Sequence, residues 1–123
     1  MYIEIYIVGD NNSTTCPQYI GCYVDDPNRD LKHGPGESLT DFLTGESFRN
    51  FTSSTCNEKC KGYSYFSLQY GGQCFCGNAY ASSYRYQKTD DSECGGMNGL
   101  GGIFRNSVYK TCGNENCYPW QII

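Results

Sequence analysis

Four cysteines stand at spacings that could do chemistry together: Cys56 and Cys60 at i and i+4, Cys74 and Cys76 at i and i+2. Reduced, they could offer four thiolates to one zinc ion; oxidised, they form disulfides. Residues at i and i+4 of a helix lie about 6 Å apart along its axis. Residues at i and i+2 of a strand share one face about 6.6 Å apart. The spacings match, so a helix laid along a strand could carry two neighbouring bridges, each stabilising by about 3 kcal/mol through the entropy lost from the unfolded chain. Nine cysteines in 123 residues, with the glycosylation sequons at Asn11, Asn12 and Asn50, favour the oxidised form and an exported, extracellular chain. No metal and no cofactor is expected.

The stretch after the second pair offers a different chemistry. Gly77-Asn78-Ala79-Tyr80-Ala81-Ser82-Ser83-Tyr84-Arg85-Tyr86 brings three tyrosines, an amide and a guanidinium into one loop anchored by Cys76. Flat aromatic faces stack on sugar C–H surfaces, while amide and charged groups hydrogen-bond sugar hydroxyls. Asn78, Tyr80, Tyr84, Arg85 and Tyr86 are therefore the candidate glycan-binding residues, with packing over the core as the competing role for Tyr80 and Tyr86. Phe75, Tyr63, Tyr65 and Phe66 are assigned to the interior. Asp25 and Arg29 read as a structural loop salt bridge, and His33, the one histidine, as a solvated residue in a Gly/Pro-rich loop. No Ser/His/Asp or Cys/His set can be assembled, so the chain is read as non-catalytic.

Composition sets what must hold these residues. The chain has 12 Tyr, 6 Phe and 1 Trp, but only 15 Ile, Leu or Val, six of which lie in residues 1–8 and at the last two positions. Aliphatic burial alone cannot hold the middle of the chain, which disulfides must then support. The net charge of −4, with basic residues scattered singly, argues against nucleic acid. A polar, weakly charged surface suits neutral ligands better than ionic ones. No run of 18 apolar residues could form a transmembrane helix. Met1–Val8 lacks a basic n-region and contains Glu4, so it does not read as a signal peptide, and a missing leader is expected.

The positioning elements follow from local pattern. Residues 1–8 alternate with Ile3, Ile5 and Ile7 on one face, which predicts a strand. A second strand is expected over Tyr19–Val24, followed by an Asp/Asn/Pro turn over 25–30. Thr52 to Gly62 reads as a short capped helix carrying Cys56 and Cys60. Tyr63–Leu68 and Gln73–Cys76 form a predicted hairpin across Tyr70-Gly71-Gly72, and a last strand is expected over Gly102–Tyr109.

In order along the chain stand Tyr19-Ile20-Gly21-Cys22-Tyr23-Val24-Asp25, Arg29-Asp30-Leu31, Cys56-x3-Cys60, Gly62-Tyr63-Ser64-Tyr65-Phe66-Ser67-Leu68, Cys74-Phe75-Cys76-Gly77-Asn78, and Gly101-Gly102 with Asn106-Ser107-Val108-Tyr109. Together they resemble a WSC domain over about residues 19–110. The resemblance implies a small disulfide-rich α+β fold, one short helix packed on antiparallel sheet, here with the extra N-terminal strand. It also implies a role in binding polysaccharide, and the pairs Cys22–Cys94, Cys56–Cys74 and Cys60–Cys76. Leu100 replaces a cysteine of the family pattern, which removes its fourth bridge. Cys16, Cys112 and Cys117 then lie outside the frame; one pair among them could tie the tails and leave one thiol over.

The expected organisation is an N-terminal strand extension and glycosylated linker over 1–15, the WSC-like domain over 16–111, and a tail over 112–123. The function expected is adhesion to polysaccharide, cell-wall material or glycoprotein glycans. The alternative is a self-assembling structural subunit, its copies joined through residues 1–8 or an interchain disulfide.

Overall fold

A computed structural model describes residues 16–36 and 50–112. The expected strand over 1–8, the sequons at Asn11 and Asn12, and Cys117 lie outside the described residues. In chain order the elements are β1 (Gln18–Val24), a 3-10 turn at Gly34–Gly36, α1 (Ser53–Lys59), β2 (Tyr65–Gln69), β3 (Gln73–Gly77), β4 (Lys88–Thr89), a 3-10 turn at Asp91–Cys94, and β5 (Arg105–Lys110). The strands form one antiparallel sheet in the order β3-β2-β5-β1-β4. The fold is thus the small, disulfide-rich α+β domain with one short helix that the sequence implies.

The helix starts where its cap requires. The Thr52 hydroxyl accepts from the Thr55 N–H, and the Thr55 hydroxyl accepts from the Thr52 N–H, a reciprocal capping box that satisfies two free donors of the first turn. Cys56 and Cys60 then point together onto the sheet. They meet Cys74 and Cys76 of β3, with Cα separations of 5.6 Å for Cys56–Cys74 and 5.4 Å for Cys60–Cys76. Alternation puts Phe66, Leu68, Cys74, Cys76 and Tyr109 on this same face, where they form the fully buried core cluster with the helix cysteines. Phe66 and Tyr109, directly opposite across β2 and β5, stack with ring centroids 4.9 Å apart. Sulfur and aromatic carbon supply what the missing aliphatics would have.

Cys22–Cys94 ties β1 to the second 3-10 turn, and Cys16–Cys112 clasps the two ends of the described domain. Cys112 is also held by Asn57 of the helix, whose side chain donates to its carbonyl at 3.2 Å and accepts from its N–H at 2.7 Å. The Cys16–Cys112 pairing comes from outside local pattern, since it joins residues 96 apart.

Two strand boundaries shift. The first hairpin strand begins at Tyr65 and not Tyr63, because the Tyr63 N–H still donates to Cys60 O in the turn that leaves the helix. The last strand begins at Arg105 and not Gly102. Gly102 and Arg105 exchange backbone hydrogen bonds around a tight reversal in which Phe104 has φ 51°. Gly101 can have no side chain there, since its φ is +80° and a Cβ would collide with the Leu68 carbonyl.

Candidate functional site

The sheet face away from the helix is covered by two loops, residues 25–33 and 78–87. A buried polar knot fixes the first. The Asp25 carboxylate accepts from the Asp30 N–H at 2.9 Å, from Gln69 Nε2 at 2.7 Å and from Arg29 Nη1 at 3.4 Å. Gln69 donates its other amide hydrogen to Asn106 Oδ1 at 3.0 Å. Arg29 lies between the rings of Phe75 and Phe104, 5.0 and 5.4 Å from their centroids. Burial pushes the Asp25 carboxyl above its ordinary range; the Gln69 amide, the Asp30 and Asp26 N–H groups and Arg29 pull the other way. The Asp25–Arg29 pair is structural, as its loop context suggests.

The knot aims two further carboxylates at the second loop. Asp30 accepts from the N–H groups of Ala81, at 2.6 Å, and Ser82, at 3.1 Å, and also from the Ser82 hydroxyl. Asp26 accepts from the Tyr86 hydroxyl at 2.8 Å and pairs with Arg85 Nη1 at 3.1 Å. The loop thus closes on Asp26 and Asp30 even though Ala81 must adopt φ 52° to do so. Neither aspartate was legible as an anchor, because their run reads only as turn chemistry.

The five candidate residues take different stations on this frame. Tyr84 is 83% exposed at the loop's tip. Arg85 beside it is exposed, tethered to Asp26. Asn78 is exposed, and its Oδ1 accepts from the Ser64 N–H at 2.9 Å. Tyr80 is half-buried, edge-on to Tyr23 at 5.2 Å and to Tyr65 at 4.8 Å. Tyr86 is only 5% exposed and lies under the loop. Burial, and then the bond to Asp26, push its hydroxyl up to about 12. It holds the loop and presents no ring face to solvent.

Next to the loop, Asp30, Lys32, His33, Gly77, Asn78 and Ala79 line an open cavity of about 270 Å3. His33 is exposed but not merely solvated. Its backbone bridges Cys76 of edge strand β3, and its ring stacks on Tyr63 at 5.3 Å. Gly34 follows in a position no other residue could occupy, since a Cβ there would collide with Cys76 Sγ.

The Sγ atoms of Cys56, Cys60 and Cys74 lie within 4.8 Å of one another, close enough to share an ion as thiolates. Each is instead bonded to another sulfur, and a cystine is not a thiolate donor. Asn50 of the third sequon is exposed, with φ 74°, at the turn that precedes the helix cap. No helix among the described residues is long and apolar enough to cross a membrane.

Residues 19–114 match the family model of the WSC domain. A WSC domain-containing protein of Arthroderma benhamiae is 35% identical over 108 residues, 81% of this chain and 14% of the relative. The xylosyltransferase sqv-6 of Caenorhabditis elegans is 30% identical over 109 residues, 87% of this chain and 11% of the relative. The xylosyltransferase oxt of Drosophila pseudoobscura pseudoobscura is 34% identical over 101 residues, 75% and 10% respectively. The chain therefore spans only a small part of the length of these relatives.

Proposed function

The chain belongs to the WSC domain family, and from that premise we propose that it is an extracellular, non-catalytic module adhering to polysaccharide or glycoprotein glycans through the loop of residues 78–86. One observation carries the reading: Tyr84 stands 83% exposed on a loop whose backbone is held by the Asp30 carboxylate. An exposed aromatic on a mobile loop would lose its stacking energy to ordering, whereas a ring on a pre-set loop keeps it. The exposed amide of Asn78 and the tethered guanidinium of Arg85 supply donors for sugar hydroxyls. Tyr80 adds a half-buried ring, and Tyr86 supports the loop from beneath.

The non-catalytic part of the proposal rests on the carboxylates around the loop. Asp25, Asp26 and Asp30 are each engaged in hydrogen bonds that hold the fold. In the two xylosyltransferase relatives the matching stretch is about a tenth of the protein, which supports a binding module beside chemistry located elsewhere. The four disulfides support an oxidising, extracellular setting. Residues 16–111 make up the module in this reading, with 1–15 an extension and 112–123 a tail whose first residue the Cys16–Cys112 bridge clasps to it.

Retention on insoluble glucan, chitin and xylan tests the proposal. The chain is expected on at least one, and Tyr84→Ala is expected to weaken retention about tenfold, the worth of one well-placed aromatic contact. Retention on none of them, or retention indifferent to Tyr84→Ala, would overturn the site.

A further inference from the structure

The charges on the sheet face away from the helix are unevenly neutralised. Arg29 and Arg85 are paired with Asp25 and Asp26. Among the described residues no carboxylate pairs with Lys88 or Lys110. Both lysines are exposed, and strand register puts them on one face. Lys110 lies directly opposite Tyr65 across β5 and β2, its ammonium 6.0 Å from the Tyr65 ring centroid. Lys88 lies opposite Tyr23 across β4 and β1, and its side chain runs over Gly21. A Cβ at Gly21 would stand 3.2 Å from Lys88 Cε and 3.3 Å from Nζ, so the bare glycine lets the lysine lie flat there.

Gly21 is in register with Val108, two residues before Lys110 on the neighbouring strand. Sheet dimensions then put the Lys110 backbone about 8 Å from the position over which the Lys88 ammonium rests. Tyr80 packs edge-on to both Tyr65 and Tyr23, the ring partners of this face. The arrangement sets two lysines and three tyrosine rings on one face of the sheet.

We propose that Lys88 and Lys110, with the neighbouring Tyr65 and Tyr80 rings, form a subsite for the acidic groups of a polysaccharide, carboxylate or sulfate ester. The proposal rests on the glycan-binding reading and deepens it by naming the charge of the ligand. The rings take the sugar C–H faces, and the ammonium groups take anionic oxygens recurring along the polymer. The whole-chain net charge of −4 opposes long-range attraction of a polyanion. At about 0.1 M salt such repulsion is screened beyond about 10 Å, and the contact pairs decide.

The full chain is measured for affinity to immobilised polygalacturonate, its methyl ester, dextran sulfate and dextran at low and moderate salt. At least tenfold tighter binding to an acidic polymer than to its uncharged counterpart is expected, weakening with salt. Lys88→Gln with Lys110→Gln is expected to erase that preference, with the melting transition retained. Lys59→Gln, on the helix across the sheet, is expected to leave it unchanged. Preference for polygalacturonate alone identifies a carboxylate ligand, and for dextran sulfate alone a sulfate ester; either supports the subsite. Equal binding to charged and uncharged polymers, or a preference that survives the double substitution or falls equally with Lys59→Gln, overturns it. A chain retained on glucan or xylan without acidic preference loses this subsite and keeps the glycan reading. A chain retained on no polysaccharide loses both.

Discussion

Replacing Asp30 tests whether the 78–86 loop is held by the carboxylate beneath it. Asp30 is 8% exposed, and its two oxygens receive three donors: the Ala81 N–H on Oδ2, and the Ser82 N–H and hydroxyl on Oδ1. Hydrogen bonds to a charged acceptor contribute about 1.5–3 kcal/mol each when the partner is left buried and unmatched. These donors are partly exposed, so water can replace the lost acceptor in part. Asp30→Ala is therefore expected to cost about 3 kcal/mol in total. Asp30→Asn keeps one carbonyl oxygen for Ser82 and sets an NH2 against the Ala81 N–H, for about half that loss. Ser82→Ala removes only the hydroxyl donor and should cost about 1 kcal/mol. Urea denaturation with the disulfides intact reads all three from the midpoint at constant slope. Amide exchange at Ala81 and Ser82 should accelerate in Asp30→Ala before the core strands open. An Asp30→Ala loss below about 1 kcal/mol, or exchange at those two amides left unchanged, would refute the anchoring role.

Burial raises the Asp25 carboxyl, so the folded state holds this proton more readily than the unfolded chain does. The stability tied to that proton is complete below the unfolded value, about 3.9, and is lost as pH rises through the folded one. The stability of the native chain relative to Asp25→Asn is therefore expected to fall from pH 3 to pH 7 in urea denaturation; a rise would reverse the assigned cause. Eight cysteines are bridged in four pairs, and the ninth is Cys117. Alkylation in denaturant without reductant should add one adduct per chain, at Cys117, or none together with a mass-doubled species that Cys117→Ser abolishes. Two or more adducts would contradict the pairing.

The elements with local signals are legible in the sequence. Period-2 alternation marks the strand near Tyr63–Leu68, the Thr52 cap marks the helix start, and Tyr70-Gly71-Gly72 marks the hairpin turn with three positive φ values in a row. What escaped depends on distant partners. β4 is two residues long and has no period to detect; it exists because β1 offers Cys22 and Tyr23 as partners. Gln69, Gln73 and Asn106 look like solvent-facing positions of their strands, yet all three are buried, Gln69 and Asn106 in the knot around Asp25. Tyr86 resembles Tyr84 two positions earlier in type and context. Only Asp26, 60 residues away, decides that one ring goes under the loop while the other stands out.

The shortage of aliphatic residues shapes how stability and recognition are connected. On one face of the sheet, two adjacent disulfides and the Phe66–Tyr109 stack close the core without involving the 78–86 loop. On the other face, where Val108 and Leu31 are buried, that loop is tied down by polar and aromatic contacts. It rests on tyrosine rings and on carboxylates from residues 25–30. That six-residue segment is the strut between the two: Asp25 faces inward to Gln69 and Arg29, and Asp26 and Asp30 face outward to the loop. Exposed loop positions such as Tyr84 can therefore change with little effect on folding. A substitution in 25–30 must instead alter stability and the placement of Tyr84 together, because the same backbone carries both sets of hydrogen bonds.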